Sequence, residues 1–291
     1  MNSRFSDQFW LHHQGELDST EPSVPAPQFW TNLRPVGETP TNNTPELDAM
    51  VAEDCLGLAD ELNTDEGPCR CVVRNLHPRR RPTGLFLPEK YEPNYAYPLI
   101  LWLHGDGGTE FEMFSGISGI SSRNYIGLSL RAPEKQESGG YSWDRSPEGL
   151  AKLESELYAT VCQLRRVFNV HSERVILAGF DTGATTAMQL VLRHPEWYGG
   201  VVSMCGELPT LMDFQNLPGS ETGEVETRRA LLIAGDADDE CSAINVLNAK
   251  RVLQAAPLDV TIAIESGGHE VTRPMLRQIN HWIMNGLYAT V

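Results

Sequence analysis

Between residues 70 and 264 the chain sets down eight short apolar runs, at 70–74, 84–87, 98–103, 126–130, 174–178, 200–204, 230–234 and 259–264. Runs such as PLILWL, RVILA and ALLIA are apolar at consecutive positions, the pattern of strands buried on both faces. Stretches with a helical period separate several of them. Ser146 followed by Pro147 gives an N-cap and a proline at the first helical position, after which Leu150, Leu153, Leu157, Val161 and Leu164 recur at three- and four-residue steps. Further helices are expected over 182–194, where His194-Pro195 stops the run, over 242–255, and over 273–285, where Leu276, Ile279 and Ile283 share a face. Strands that alternate with helices in this way predict a doubly wound α/β domain over 70–291, with a mostly parallel sheet.

The amino-terminal part is built differently. Residues 1–47 are rich in Pro, Thr, Asn and acidic side chains without a sustained period, too little apolar surface to offset the entropy of ordering. They read as a disordered or loosely docked tail. Residues 48–69 read as a short helical linker, with Leu47, Val51, Leu56 and Leu58 partly buried in a helix over 46–62. The tripeptide Gln-Phe-Trp occurs at 8–10 and again at 28–30, either as aromatics that pack on the chain's own domain or as docking motifs for a protein partner.

The net charge of −16 disfavours nucleic acid and anionic membranes, since both need a basic face to displace counterions. Half of that charge arises before residue 61, where ten acidic side chains face only Arg4 and Arg34. No apolar run approaches the roughly 18 residues of a membrane span, and the first residues lack the basic start and apolar stretch of a secretory signal. A cytoplasmic location is the expectation. The six cysteines are scattered, which favours isolated thiols over a disulfide framework. Cys69, Cys71 and His77 could be drawn as metal ligands, but the set lacks a fourth member and CRCVVRN reads as a strand. No cofactor or metal is expected.

In open parallel sheets the reactive groups sit on loops leaving the carboxyl ends of strands. Four such loops carry chemistry: His104-Gly105-Asp106-Gly107-Gly108, Gly179-Phe180-Asp181-Thr182-Gly183, Gly235-Asp236-Ala237-Asp238-Asp239 and Gly267-Gly268-His269-Glu270. The acidic run Asp236, Asp238, Asp239 and Glu240 lacks the ligand spacing of a calcium loop.

From about 97 to 285 the residues resemble the carboxylesterase, lysophospholipase and acyl-protein thioesterase branch of the α/β-hydrolase fold. The motifs that carry this are LILWLHGDGG, GGYSWDRS, ERVILAGFDTGA, LRHPEWYGGVVSMCGELP, LLIAGDAD and SGGHEVTRPMLRQINHWI, in order and at consistent spacing. The resemblance implies a nucleophile elbow at residue 181 between Gly179 and Gly183. It implies an oxyanion hole from the N–H of Thr182 and from the loop at Gly105, Asp106 and Gly107. The acid and base follow as Asp238 and His269, with Asp236 an alternative acid and a capped surface histidine the alternative for His269. A small ester or thioester ligand is the implied partner.

The departure is Asp181, where that branch presents a serine. A carboxylate is already anionic at neutral pH, and at an ester carbonyl it would form a high-energy mixed anhydride. Attack at a saturated carbon suits it better. The product, an alkyl ester of Asp181, would be opened by water activated at His269, once the charge beside that histidine has gone. Haloalkane dehalogenases and epoxide hydrolases work in this way, but this chain has Thr182 where the dehalogenases place a tryptophan, and no cap-sized insertion between 204 and 230. A relative that keeps the fold and only binds in the old pocket is the remaining reading. Thr182 and Cys205 do not stand at the elbow tip and make poor substitute nucleophiles.

Overall fold

A computed structural model of the chain describes residues 70–74, 81–207, 227–253 and 258–288. The tail over 1–47, the helix expected over 46–62, the linker 48–69, Cys69 and His77 lie outside the described residues.

The apolar runs form one eight-stranded sheet. In chain order its strands are β1 (Arg70–Arg74), β2 (Thr83–Leu87), β3 (Tyr97–Leu103), β4 (Ile126–Leu130), β7 (Val170–Phe180), β8 (Gly200–Met204), β9 (Arg228–Gly235) and β10 (Leu258–Glu265). A two-residue hairpin, β5 (Glu134–Lys135) and β6 (Tyr141–Ser142), stands apart. Across the sheet the order is β1-β2-β4-β3-β7-β8-β9-β10. β2 pairs antiparallel with β1 and β4, and every pair from β4 to β10 is parallel. All seven residues of β3 are buried, as a central strand covered on both faces requires.

The helices are α1 (Glu112–Ile120), α2 (Pro147–Val167), α3 (Thr182–Arg193), α4 (Ala243–Leu253) and α5 (Arg273–Tyr288), with a 3-10 turn at Pro195–Trp197. The α2 start is the one its sequence signals: Ser146 Oγ accepts the N–H of Gly149 at 3.0 Å and Pro147 opens the helix. Leu150, Leu153, Leu157, Val161 and Leu164 are its buried stripe. α1 escapes a sequence reading because EMFSGISGI holds two glycines and two serines, poor helix formers. Those glycines exist for packing. A Cβ on Gly116 would run into the Trp102 ring, and one on Gly119 into Leu276 of α5.

Chain order and sheet order together place the site. From β3 the chain crosses to β4 on one side, then returns through α2 to β7 on the other side of β3. Loops leaving β3 and β7 therefore diverge at one switch point and leave a crevice above the strands.

Candidate functional site

Asp181 stands at the tip of the turn from β7 into α3, with φ 51 and ψ −124. A side-chain-bearing residue held there costs about 1–3 kcal/mol. Three backbone bonds fix it: its N–H donates to Met204 O at 3.0 Å, and its carbonyl accepts from Ala184 at 3.0 Å and Thr185 at 3.1 Å. The flanking glycines are imposed by the crossing of β3 and α3. A Cβ on Gly179 would meet the Gly183 backbone, and one on Gly183 would meet the carbonyls of Leu103 and His104. Thr182 heads α3, and its Oγ1 is buried without a hydrogen-bond partner.

The loop after β3 is anchored from beneath by His104, which is wholly buried. Its Nε2 accepts the Ala132 N–H at 3.0 Å, so Nδ1 carries the proton and donates to Gly105 O at 2.8 Å. Burial lowers its pKa and keeps the ring neutral, as those two bonds require. Trp143 Nε1–H donates to His104 O at 2.8 Å. Beyond it, Gly107 N–H donates to Tyr141 O at 3.1 Å and Tyr141 N–H to Gly108 O at 3.0 Å. Glu112, the first residue of α1, accepts the Gly105 N–H at 3.4 Å, and its carboxyl is pushed above the usual range by burial and by the charge of Asp181.

This frame aims the Asp106 N–H at Asp181 Oδ2, 3.0 Å away. The Asp106 side chain turns aside to accept from Gln136 Nε2 at 2.8 Å. The backbone donor that the resemblance assigns to an oxyanion hole is thus bonded to the carboxylate at the elbow. Gly105 permits the approach, since a Cβ there would stand 2.9 Å from the Phe180 ring and 3.5 Å from Asp181 Cβ.

The other carboxylate oxygen faces the histidine. Asp181 Oδ1 is 3.7 Å from His269 Nε2, and His269 Nδ1 lies 3.1 Å from Asp238 Oδ2. The Asp238 side chain is fully enclosed. Burial alone would push its pKa up, but donors outweigh it: N–H groups of Cys241 at 2.8 Å and Glu240 at 2.9 Å, the Cys205 thiol and His269 hold the carboxyl below its ordinary value. Asp236 is spent elsewhere, accepting the Gly267 N–H at 3.0 Å, so of the two candidate acids Asp238 meets His269. The exposed Glu240 reaches within 3.9 Å of Nε2. Phe180 packs its ring 5.0 Å from the imidazole.

The structure therefore gathers Asp181, Asp238, His269, Thr182 and the Gly105–Gly107 loop at one end of the sheet. Sequence reasoning missed His104 as the loop's anchor, Glu112 as a brace, and Cys205 as a donor to Asp238. Cys205 and Cys241 are buried thiols pushed up to about 12 and about 11, by burial first and then by Asp238 in both, which leaves them protonated and poor nucleophiles. Among the described residues, the Cys205, Asp238 and His269 donor atoms are the group whose geometry could hold a metal ion, lying within 4.8 Å of one another.

Such a crevice, with a strained elbow, a donor loop and a carboxylate-bound histidine, defines the hydrolases of the α/β fold. The family model described as "Esterase: Putative esterase" matches residues 75–274, and the chain belongs to this esterase family. It is 32% identical over 225 residues to "Putative esterase NocK" of Nocardia uniformis subsp. tsuyamanensis, a match covering 75% of this chain and 57% of that protein. The chain thus spans little more than half the length of that relative. Among solved structures it resembles the Bacillus cereus carboxylesterase, at TM-score 0.56 and 20% identity over 70% of this chain and 93% of that one. Arabidopsis thaliana SOBER1 matches at TM-score 0.56 and 21% identity, over 66% and 100% of the two chains. At such identities these two likenesses speak for the fold. Among the described residues no helix is long and apolar enough to cross a membrane.

Proposed function

We propose that the chain hydrolyses small ester-type molecules by attack of Asp181 on the saturated carbon of the alkoxy group rather than on the carbonyl. The observation that carries this is the placement of the two carboxylate oxygens. With Oδ2 bonded to the Asp106 N–H at 3.0 Å, a substrate carbonyl finds that donor already taken and is left with the Thr182 N–H alone to polarise it. Oδ1 is left facing the crevice and His269. The family supports the hydrolase class and the ester-type ligand.

In the first step Oδ1 bonds to the alkoxy carbon, the carbon–oxygen bond to the substrate breaks, and the acyl half departs as a carboxylate. Asp181 is now a neutral alkyl ester, and one negative charge beside His269 is gone. His269, oriented by Asp238, takes a proton from water, which attacks the Asp181 carbonyl. The charge that develops on Oδ2 falls on the Asp106 N–H already bonded to it, with the Thr182 N–H at the start of α3 beside it. The alcohol leaves with the proton from His269, and Asp181 returns to its carboxylate as the second proton of the water passes to solvent. A good leaving group or an activated carbon suits this route, so alkyl halides and epoxides belong in the same assay.

Turnover in heavy-oxygen water tests the route. With enzyme in excess the label should enter Asp181, found in its peptide by mass spectrometry, while the released carboxylic acid carries none. Asp181→Asn should lose on the order of 10³-fold or more in kcat. Label in the acid product instead would mean attack at the carbonyl and would sink the proposal. The same filled donor loop also favours a second reading, a non-catalytic binding protein. That reading predicts no turnover in the wild type and labelling of Asp181→Ser by a serine-directed phosphonate.

A further inference from the structure

The sulfur beside the acid and the histidine is left unused by the proposed chemistry. Cys205 follows β8 with φ 51, a conformation unfavourable for any residue but glycine, and its thiol bonds to Asp238. Its Sγ, an Asp238 oxygen and a His269 ring nitrogen lie within 4.8 Å of one another. Sulfur, nitrogen and oxygen donors around one point make a ligand set for zinc. At metal–ligand lengths of about 2.0–2.3 Å, tetrahedral ligands stand about 3.3–3.6 Å apart. The two Asp238 oxygens stand 3.1 and 3.2 Å from His269 Nδ1, close to that spacing, and the Cys205 sulfur, within 4.8 Å, would close in on them.

We infer that Cys205 Sγ, Asp238 Oδ2 and His269 Nδ1 form a binding site for a thiophilic divalent cation of the zinc type, with Asp181 holding the far side of the imidazole. The surroundings are those a metal site needs. Asp238 Oδ1 is fixed by two backbone N–H groups, which leaves Oδ2 to coordinate. A metal-bound imidazole presents its second N–H to a carboxylate, and Nε2 already faces Asp181 at 3.7 Å and Glu240 at 3.9 Å. A serine at 181 would supply no charge in that position.

On binding, the Cys205 thiol gives its proton to solvent and the imidazole keeps one proton, on Nε2. The cation's two charges are balanced by the thiolate and the Asp238 carboxylate. The crevice side of the ion is left for water. A cation seated there separates His269 from Asp238 and ties up Nδ1, so it would arrest any turnover that uses this pair, reversibly on chelation. Only that last consequence rests on the proposed function; binding itself does not.

The experiment uses the full chain, freed of metal by chelation, with Zn²⁺ competed against a chromophoric chelator and Co²⁺ as spectroscopic probe. One equivalent of Zn²⁺ and a near-ultraviolet thiolate-to-cobalt band are expected. Cys205→Ser should abolish the band and weaken Zn²⁺ binding about 100-fold, and Asp181→Asn should weaken it about tenfold. Cys205→Ala, its fold checked by thermal melting, guards against a variant that simply fails to fold. Unchanged affinity in a folded Cys205 variant, or no uptake from micromolar free Zn²⁺, overturns the inference. Neither result touches the displacement reading, which is judged by the label in Asp181 on chelator-treated protein.

Discussion

A residue in the conformation of Asp181 persists only where its neighbours over-determine it. Here three backbone bonds to the residue and two glycines too crowded to carry a side chain do so. This much was legible in GFDTG, because the spacing of the glycines signals the turn. The anchoring of the opposing loop was not. His104 appears in the sequence as one more polar residue before a glycine, and its role depends on Ala132 and Trp143, both more than 25 residues away. Replacing His104 by Phe would leave the Ala132 N–H buried and unpaired and would take one of two donors from Gly105 O, which keeps the Gly108 N–H at 3.1 Å. A loss of about 1–3 kcal/mol is expected in denaturant melts. Under the proposed displacement route His104, as a positioning residue, should also affect kcat more than KM, since that route has the Asp106 N–H act on Oδ2 as charge develops there. A fall in stability with kcat intact would show that the loop keeps its aim without it.

At the scale of elements, β2, β3, β4 and β8 were readable because two-sided burial writes itself as unbroken apolar runs. β7 extends back to the buried Val170, before the run that betrays it, and the stretch was missed because His171, Ser172 and Glu173 are half-buried and polar. α1 was unreadable because its identity rests on fitting Trp102 and Leu276 rather than on propensity. The link between α1 and the sheet is also tertiary. Glu110, fully enclosed just before α1, receives both guanidinium arms of Arg131 after β4, with Nε at 2.7 Å from Oε2. Burying a carboxylate is tolerable only with such a partner, so Arg131→Ala should cost about 3–5 kcal/mol. Arg131→Ala with Glu110→Leu should recover much of that, because no charge is left stranded. A double variant as unstable as the single one would mean that Arg131 acts by packing over the Tyr141 ring, 4.8 Å away, instead.

For the whole molecule, two histidines far from the crevice set the dependence of stability on pH. His194 lies against Glu154 and Glu196. Burial alone would lower its pKa, but the two carboxylates more than offset this and raise it to about 9. Its folded form thus binds a proton that the unfolded chain releases above about 6.5, so its contribution is complete below 6.5 and lost as pH climbs through 9. His171 is the reverse. Burial first, then Arg174 and Arg165, lower it to about 4, so the unfolded chain takes up a proton that the folded one refuses, and stability falls as pH drops from 6.5 towards 4. The midpoint of thermal unfolding should therefore peak near pH 6 to 7, with each limb falling by an amount on the order of 2 kcal/mol. Carboxylates held below their ordinary values add to the acid limb, and the buried thiols of Cys205 and Cys241, raised to about 12 and about 11, add to the alkaline limb from about pH 8.5 upward, so the span from 6.5 to 8 reports on His194. His194→Gln should flatten the curve between pH 6.5 and 8 while leaving the His171 part of the acid limb in place. An unchanged alkaline limb in that variant would show that the Glu154 cluster does not couple protonation to folding.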